Sequence, residues 1–312
     1  MRHVLQGFLE VIEKQAPFVG DGIRYLRRRR WQIAETLTGI TSKPTMSHLY
    51  WPVGRPLVSV IITNFNYGQF LHEAIDSVLT QTFQDFEIII IDDGSTDPYT
   101  KKILSELNKP KTHIVFQSHQ GVPRTRNNGI KTAQGKYICC LDSDDCLRPT
   151  YLEKCIYELE TRNLDVCFSW LETFGESKFI WENGPFLIDV LMKGNTVPAS
   201  ALFKKTIWEE VGGYKEAMTH GYEDWEFWLS AAEQGSIGYC IPEPLLLHRK
   251  HSESRSAGMK YRYNQIAEQI ESLHRHLYNN PSLIKKIRQL QRRRFKVQNP
   301  FCNMRRQRDV QA

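Results

Sequence analysis

From Leu57 onward, short apolar runs alternate with stretches of helical periodicity: "LVSVIIT", "FLHEAIDSVLTQ", "FEIIIID", a helical stretch over 99–108, then "THIVFQ". In the first helical stretch Phe70, Ala74 and Val78 recur at i+4, as do Leu71, Ile75 and Leu79. One wide apolar face results, suited to lying on a sheet. The strand-like runs are continuously apolar rather than alternating, as parallel strands covered on both faces require. The order is βαβ. Downstream, "VPRTRNNGIKTAQG" predicts a helix with Gly135 as its cap, followed by the strand "KYICCL". A helix over 149–162, the strand "DVCFSW" and a less regular stretch over 171–195 come next. The strand-like "ASALFKK" and the helices "TIWEEVGG" and "EDWEFWLSAAEQG" close the pattern.

Polar clusters stand where the strands end. "NFNYG" follows the first, "DDGSTD" the second and "DSDD" the strand "KYICCL". Ligands of open α/β sheets collect at the carboxyl ends of strands, so three strand ends converge on one expected site. Asp142, Asp144 and Asp145, interrupted only by Ser143, concentrate like charge there. Carboxylates a few ångströms apart repel and resist leaving water, so the cluster calls for a cation or hydrogen-bond donors.

Charge changes the picture further. The chain of 312 residues carries +6 overall, yet 1–55 hold 9 Lys and Arg against 4 Asp and Glu, and 281–312 hold 10 against 1. Residues 56–280 carry 22 against 30. An acidic body that binds an anionic ligand needs a cation between them. Both ends read as basic amphipathic helices, through Leu5, Phe8, Leu9 and Ile12 at the start and "IKKIRQLQRRRFK" at the finish. They are suited to lying on anionic lipid or to packing on the domain or a partner. No nucleic-acid recognition motif accompanies this charge. With 41% apolar and 11% aromatic residues the chain is expected to fold as an ordinary globular protein. No apolar run approaches the roughly 18–20 residues of a membrane span, and Glu10, Glu13 and Lys14 interrupt any signal-peptide core. Cytoplasmic residence, with peripheral attachment to the membrane face, is the expectation. The seven cysteines lack metal-binding spacing and read as reduced core residues.

The ordered motifs "VSVIITNFN", "DDGSTD", "TRNNG", "DSDD" and "EDWEFW" resemble those of the family 2 glycosyltransferases, which have the GT-A fold. The resemblance covers roughly 56–256, with Thr63 where proline is usual and Phe65 where tyrosine is usual. It implies that Asp142 and Asp144, two apart at a strand end and so on one face, hold Mn²⁺ or Mg²⁺ against the diphosphate of a nucleotide sugar. His251 would add a metal or phosphate contact. Asp92 and Asp93 would meet the base, by resemblance uracil, with Phe65 as its apolar face. Arg126 would reach phosphate, and Thr63, Asn66, Ser143, Asp145 and Trp225 would line the nucleotide sugar. The acidic pair Glu223 and Asp224 would supply the general base, Asp224 being the choice.

Each motif has a plainer reading: a solvated turn and helix cap for "DSDD" and "DDGSTD", dipole partners for Glu223 and Asp224, core for Phe65 and Trp225. Five in order favour the site. The expected fold is therefore an α/β, GT-A-type, mostly parallel mixed sheet flanked by helices, with basic helical N- and C-terminal extensions. The divisions fall at 1–55, 56–256 and 257–312. The expected activity is metal-dependent, inverting transfer from a UDP-sugar to a hydroxyl of a glycan or lipid-linked acceptor. The rivals are a non-catalytic nucleotide-sugar-binding scaffold and a phosphohydrolase of nucleotide diphosphates.

Overall fold

The computed structural model describes residues 54–252 and 262–298. The amphipathic stripe expected near the N-terminus and the basic residues of 299–312 lie outside them. The chain runs β1 (Val58–Asn64), α1 (Gly68–Leu79), β2 (Phe86–Asp92), α2 (Pro98–Glu106), β3 (Thr112–Phe116), α3 (Val122–Thr132) and β4 (Tyr137–Asp142). Then follow β5 (Cys146–Leu147), α4 (Tyr151–Thr161), β6 (Val166–Gly175), β7 (Ile180–Trp181), α5 (Ile188–Leu191), β8 (Leu202–Lys204), α6 (Lys205–Val211) and α7 (Glu223–Glu233). β9 (Gly238–Lys250), α8 (Tyr263–Leu273), α9 (Arg275–Tyr278) and α10 (Pro281–Gln298) complete it.

Among the described residues the strands form one sheet in the order β3-β2-β1-β4-β8-β6-β9-β5, with β7 on β6. Its longer ladders, β1 with β2 and β4, β2 with β3, and β6 with β9, are parallel. The short ladders made by β8, β5 and β7 are antiparallel. β1, β2 and all but the last residue of β4 are buried, as their continuous apolar runs foretell. In α1, Leu71, Ala74, Ile75 and Val78 supply the buried face. Five of the cysteines, including Cys139 and Cys140, are buried thiols.

Gly135 departs from its expected role. The helix before it ends at Thr132 with Ala133 as its C-cap, and Gly135 does not cap it. Its backbone N–H donates to Ser59 Oγ at 2.8 Å, and a Cβ would come within 2.5 Å of the Ser59 nitrogen. The glycine is needed for close approach of the chain to β1.

The stretch over 171–195 is more regular than its sequence suggests, because β6 continues to Gly175 and turns back through β7. The 13-residue β9 pairs with β6 along its whole length. The C-terminal helices dock on the body. Ile266, Ile270, Leu277 and Ile287 enter the same buried cluster as Phe227 and Trp228. His274 lies between Glu226 and Glu233, at 3.1 and 3.0 Å. On α10, Arg288 pairs with Asp189 and Arg294 with Asp165, each at 2.9 Å. Part of the C-terminal positive charge thus meets acids of the body, and Ile287 of its apolar stripe is spent on protein. None of the described helices is long and apolar enough to cross a membrane.

Candidate active site

The parallel register brings the three polar strand ends side by side: Asn64 lies opposite Asp92, and Thr63 opposite Asp142. Thr63 Oγ1 donates to Asp142 Oδ1 at 3.3 Å. A proline there would have no hydroxyl to offer. Asp92 is buried and turned inward, accepting from Asn64 Nδ2 at 2.9 Å and Ser95 Oγ at 2.5 Å. Asn66, at φ 58°, accepts from the N–H groups of Thr96 and Asp97. These bonds tie the loops after β1 and β2 together. Asp92 and Asn66, expected along the nucleotide sugar, also hold the loops of the site in place.

Asp93 is the anchor of the next loop. Its carboxylate accepts from Gln117 Nε2 and from the N–H groups of Gln120 and Gly121, at 2.7 to 2.9 Å. His119 Nδ1 lies 2.9 Å from Asp93 Oδ2, and its ring sits 4.3 Å from that of Phe65. Phe65 remains 39% exposed, so the pair offers an accessible aromatic surface beside β1. Nothing in the sequence pattern singled out His119.

The "DSDD" turn is clamped by the end of β9. Asp145, buried, faces His248 Nδ1 at 3.0 Å and accepts the Arg249 N–H at 3.0 Å. Ser143 is buried within the turn. Asp144 Oδ2 lies 3.0 Å from His251 Nε2. Burial, then the charges of Asp145 and Asp142, push the Asp144 carboxyl up to about 6, with His251 pulling the other way. Among the described residues no three His, Cys, Asp or Glu groups converge into a cation site of their own. A hard cation at this turn would draw only Asp142, Asp144 and His251 from the described residues and would take the rest of its shell from substrate phosphates and water.

Arg126 is where expectation and structure part. Its guanidinium is 2% exposed and bridges Glu223 Oε1 at 2.8 Å to Asp142 Oδ1 at 2.9 Å. It is a buried strut, not an open phosphate ligand. Burial opposes its charge, and Asp142 and Glu223 outweigh that, raising its pKa. Removing one partner of such a pair strands the other, so Arg126→Met is expected to destabilise the fold by about 3–5 kcal/mol. Chemical denaturation checks this, and a loss below about 1 kcal/mol contradicts the strut.

The strut reaches the start of α7. Gly221 at φ 106° and Tyr222 at φ 56° turn the chain sharply, so Glu223 and Asp224 open the helix, where the dipole favours acids. Asp224 Oδ1 accepts from the Trp225 N–H at 2.8 Å, and Oδ2 from Asn195 Nδ2 at 2.9 Å. Burial, then Glu223, push its carboxyl up to about 6, while Arg126, Asn195 and the Trp225 N–H oppose. Trp225 corrects another expectation. Its ring is buried, stacked on Tyr263 with 14° between the planes, and its Nε1 donates to the Leu191 carbonyl. No face is left for a sugar.

The family model described as glycosyl transferase family 2 matches residues 59–218, just over half of the chain. An uncharacterized glycosyltransferase of Haemophilus influenzae is 29% identical over 239 residues, which are 69% of this chain and 72% of that one. The putative teichuronic acid biosynthesis glycosyltransferase TuaG of Bacillus subtilis is 28% identical over 232 residues, 70% of this chain and 90% of that one. Among solved structures, S. aureus TarS 1-349 in complex with UDP-GlcNAc superposes with a TM-score of 0.56 at 18% identity. That match covers 64% of this chain and 60% of TarS 1-349, and the likeness is one of fold, the GT-A type.

Proposed function

The chain belongs to glycosyl transferase family 2, and on that premise we propose that it transfers a sugar from a UDP-sugar to a hydroxyl of a glycan or lipid-linked acceptor. One observation carries the reading. A single buried guanidinium, Arg126, joins the strand-end carboxylate Asp142 to the acidic pair that opens α7. Donor and acceptor chemistry are thereby held in fixed relation. The solved relative bound to UDP-GlcNAc supports a uridine donor, and TuaG, named for teichuronic acid biosynthesis, supports a polymeric glycan acceptor.

Phe65 and His119 present the aromatic surface for the base, with Asp93 fixing His119 behind it. Asp142 and Asp144, with His251, would hold Mn²⁺ or Mg²⁺, which when bound offsets the charge on the departing diphosphate. Asp224 takes the proton from the acceptor hydroxyl, whose oxygen attacks the anomeric carbon as the bond to the diphosphate breaks. A carboxyl near 6 is mostly ionised at pH 7 and still basic enough for the task. One base and a direct displacement give inversion. Screening UDP-sugars for metal-dependent binding tests the donor assignment, and failure of every uridine donor to bind would remove it.

A further inference from the structure

We propose that Asn195 is a positioning residue for this reaction: its carboxamide donates to Asp224 Oδ2 and holds the carboxylate in one orientation toward the acceptor. The inference rests on the reading of Asp224 as the base. Asn195 lies outside all five sequence motifs, in the connection between α5 and β8.

The geometry leaves the amide little choice. Asn195 Oδ1 accepts from the Val197 N–H at 3.2 Å, so the amino end must face Asp224, which it meets at 2.9 Å. A backbone N–H can only donate, and this fixes the amide's sense. The end of α5, just before this connection, grips α7 again at Trp225, whose Nε1 donates to the Leu191 carbonyl at 2.6 Å. With the Trp225 N–H on Oδ1, each carboxylate oxygen takes one fixed donor. A second lone pair on each remains to receive the acceptor's proton. The charged groups around Asp224 are Glu223 on its own helix and Arg126 from α3, with the titratable Tyr214 and Tyr222 nearby. Against burial and Glu223, Asn195 is one of the donors that favour the ionised form.

The test titrates the full chain labelled with ¹³C at aspartate Cγ, the Asp224 signal being identified by its loss in Asp224→Asn. In Asn195→Ala the midpoint is expected to rise by about one unit or more, the equivalent of one hydrogen bond to a charged group. The acid limb of the transfer rate should move with it, while the rate above pH 8 recovers most of its loss. A midpoint within about 0.3 units of the parent's overturns the proposal, as does a uniform drop at every pH with the limb unmoved. Where Asn195→Ala fails to fold, the near-isosteric Asn195→Asp carries the test. It sets a like charge beside Asp224 and must also raise the midpoint. Failure of the underlying reading looks different, because then Asp224→Asn itself transfers sugar at the parent's rate.

Discussion

Asp224→Asn is expected to lower sugar transfer by about 10² to 10⁴, the usual span of a general base, with little change in UDP-sugar affinity. The amide cannot take a proton from the acceptor hydroxyl. It keeps the shape of the side chain, and Arg126 still joins Asp142 to Glu223, so the donor side persists. Stability gives an independent readout. The folded Asp224 carboxyl stands near 6, above its ordinary 3.8, so its contribution to stability is fully present below 3.8 and lost as the pH rises through 6. Asp224→Asn should lack this pH-dependent loss, so that its melting temperature relative to the parent's rises between pH 4 and pH 8. Glu223→Gln is the control. If it cripples transfer more than Asp224→Asn does, the base is Glu223; if Asp224→Asn abolishes donor binding, Asp224 belongs to the donor site.

The second large effect concerns the "DSDD" turn. Asp144→Asn is expected to weaken Mn²⁺-supported UDP binding by at least the roughly 10–100-fold that loss of an outer partner costs a metal site. Metal-free binding of UDP should change much less. The turn itself should survive, because Asp145 remains clamped by His248 and the Arg249 N–H. Calorimetric titration of UDP with and without Mn²⁺ separates the two terms. Equal weakening in both conditions would mean that Asp144 acts by shaping the turn and not through a cation.

Much of this was legible in the chain because the informative features are local. Continuous apolar runs announced β1, β2 and β4, and the polar residues just beyond them announced the strand-end clusters. The acids of "EDWEFW" fell at a helix start, as the dipole prefers. What escaped the sequence depends on partners distant along it. Arg126 reads as a phosphate ligand until α7 brings Glu223 to it, 97 positions away. That Asp92 also ties two loops together shows only once register sets Asn64 opposite it. Trp225 looks like a sugar platform until Tyr263 covers it. Asn195 carries no periodicity or motif, and only the fold places its amide against Asp224. β9 was obscured by Pro242 and Pro244, which break the strand pattern where its register with β6 shifts.

The central claim, one site that binds a uridine donor at the strand ends and passes its sugar to an acceptor activated by Asp224, is tested most directly by UDP release. The purified chain is incubated with a panel of UDP-sugars and Mn²⁺, and UDP is measured with and without glycan acceptors. The account predicts release with at least one donor, stimulated by an acceptor in proportion to glycosylated product and lost in Asp224→Asn. UDP-sugar cleavage indifferent to every acceptor and retained in Asp224→Asn would contradict it.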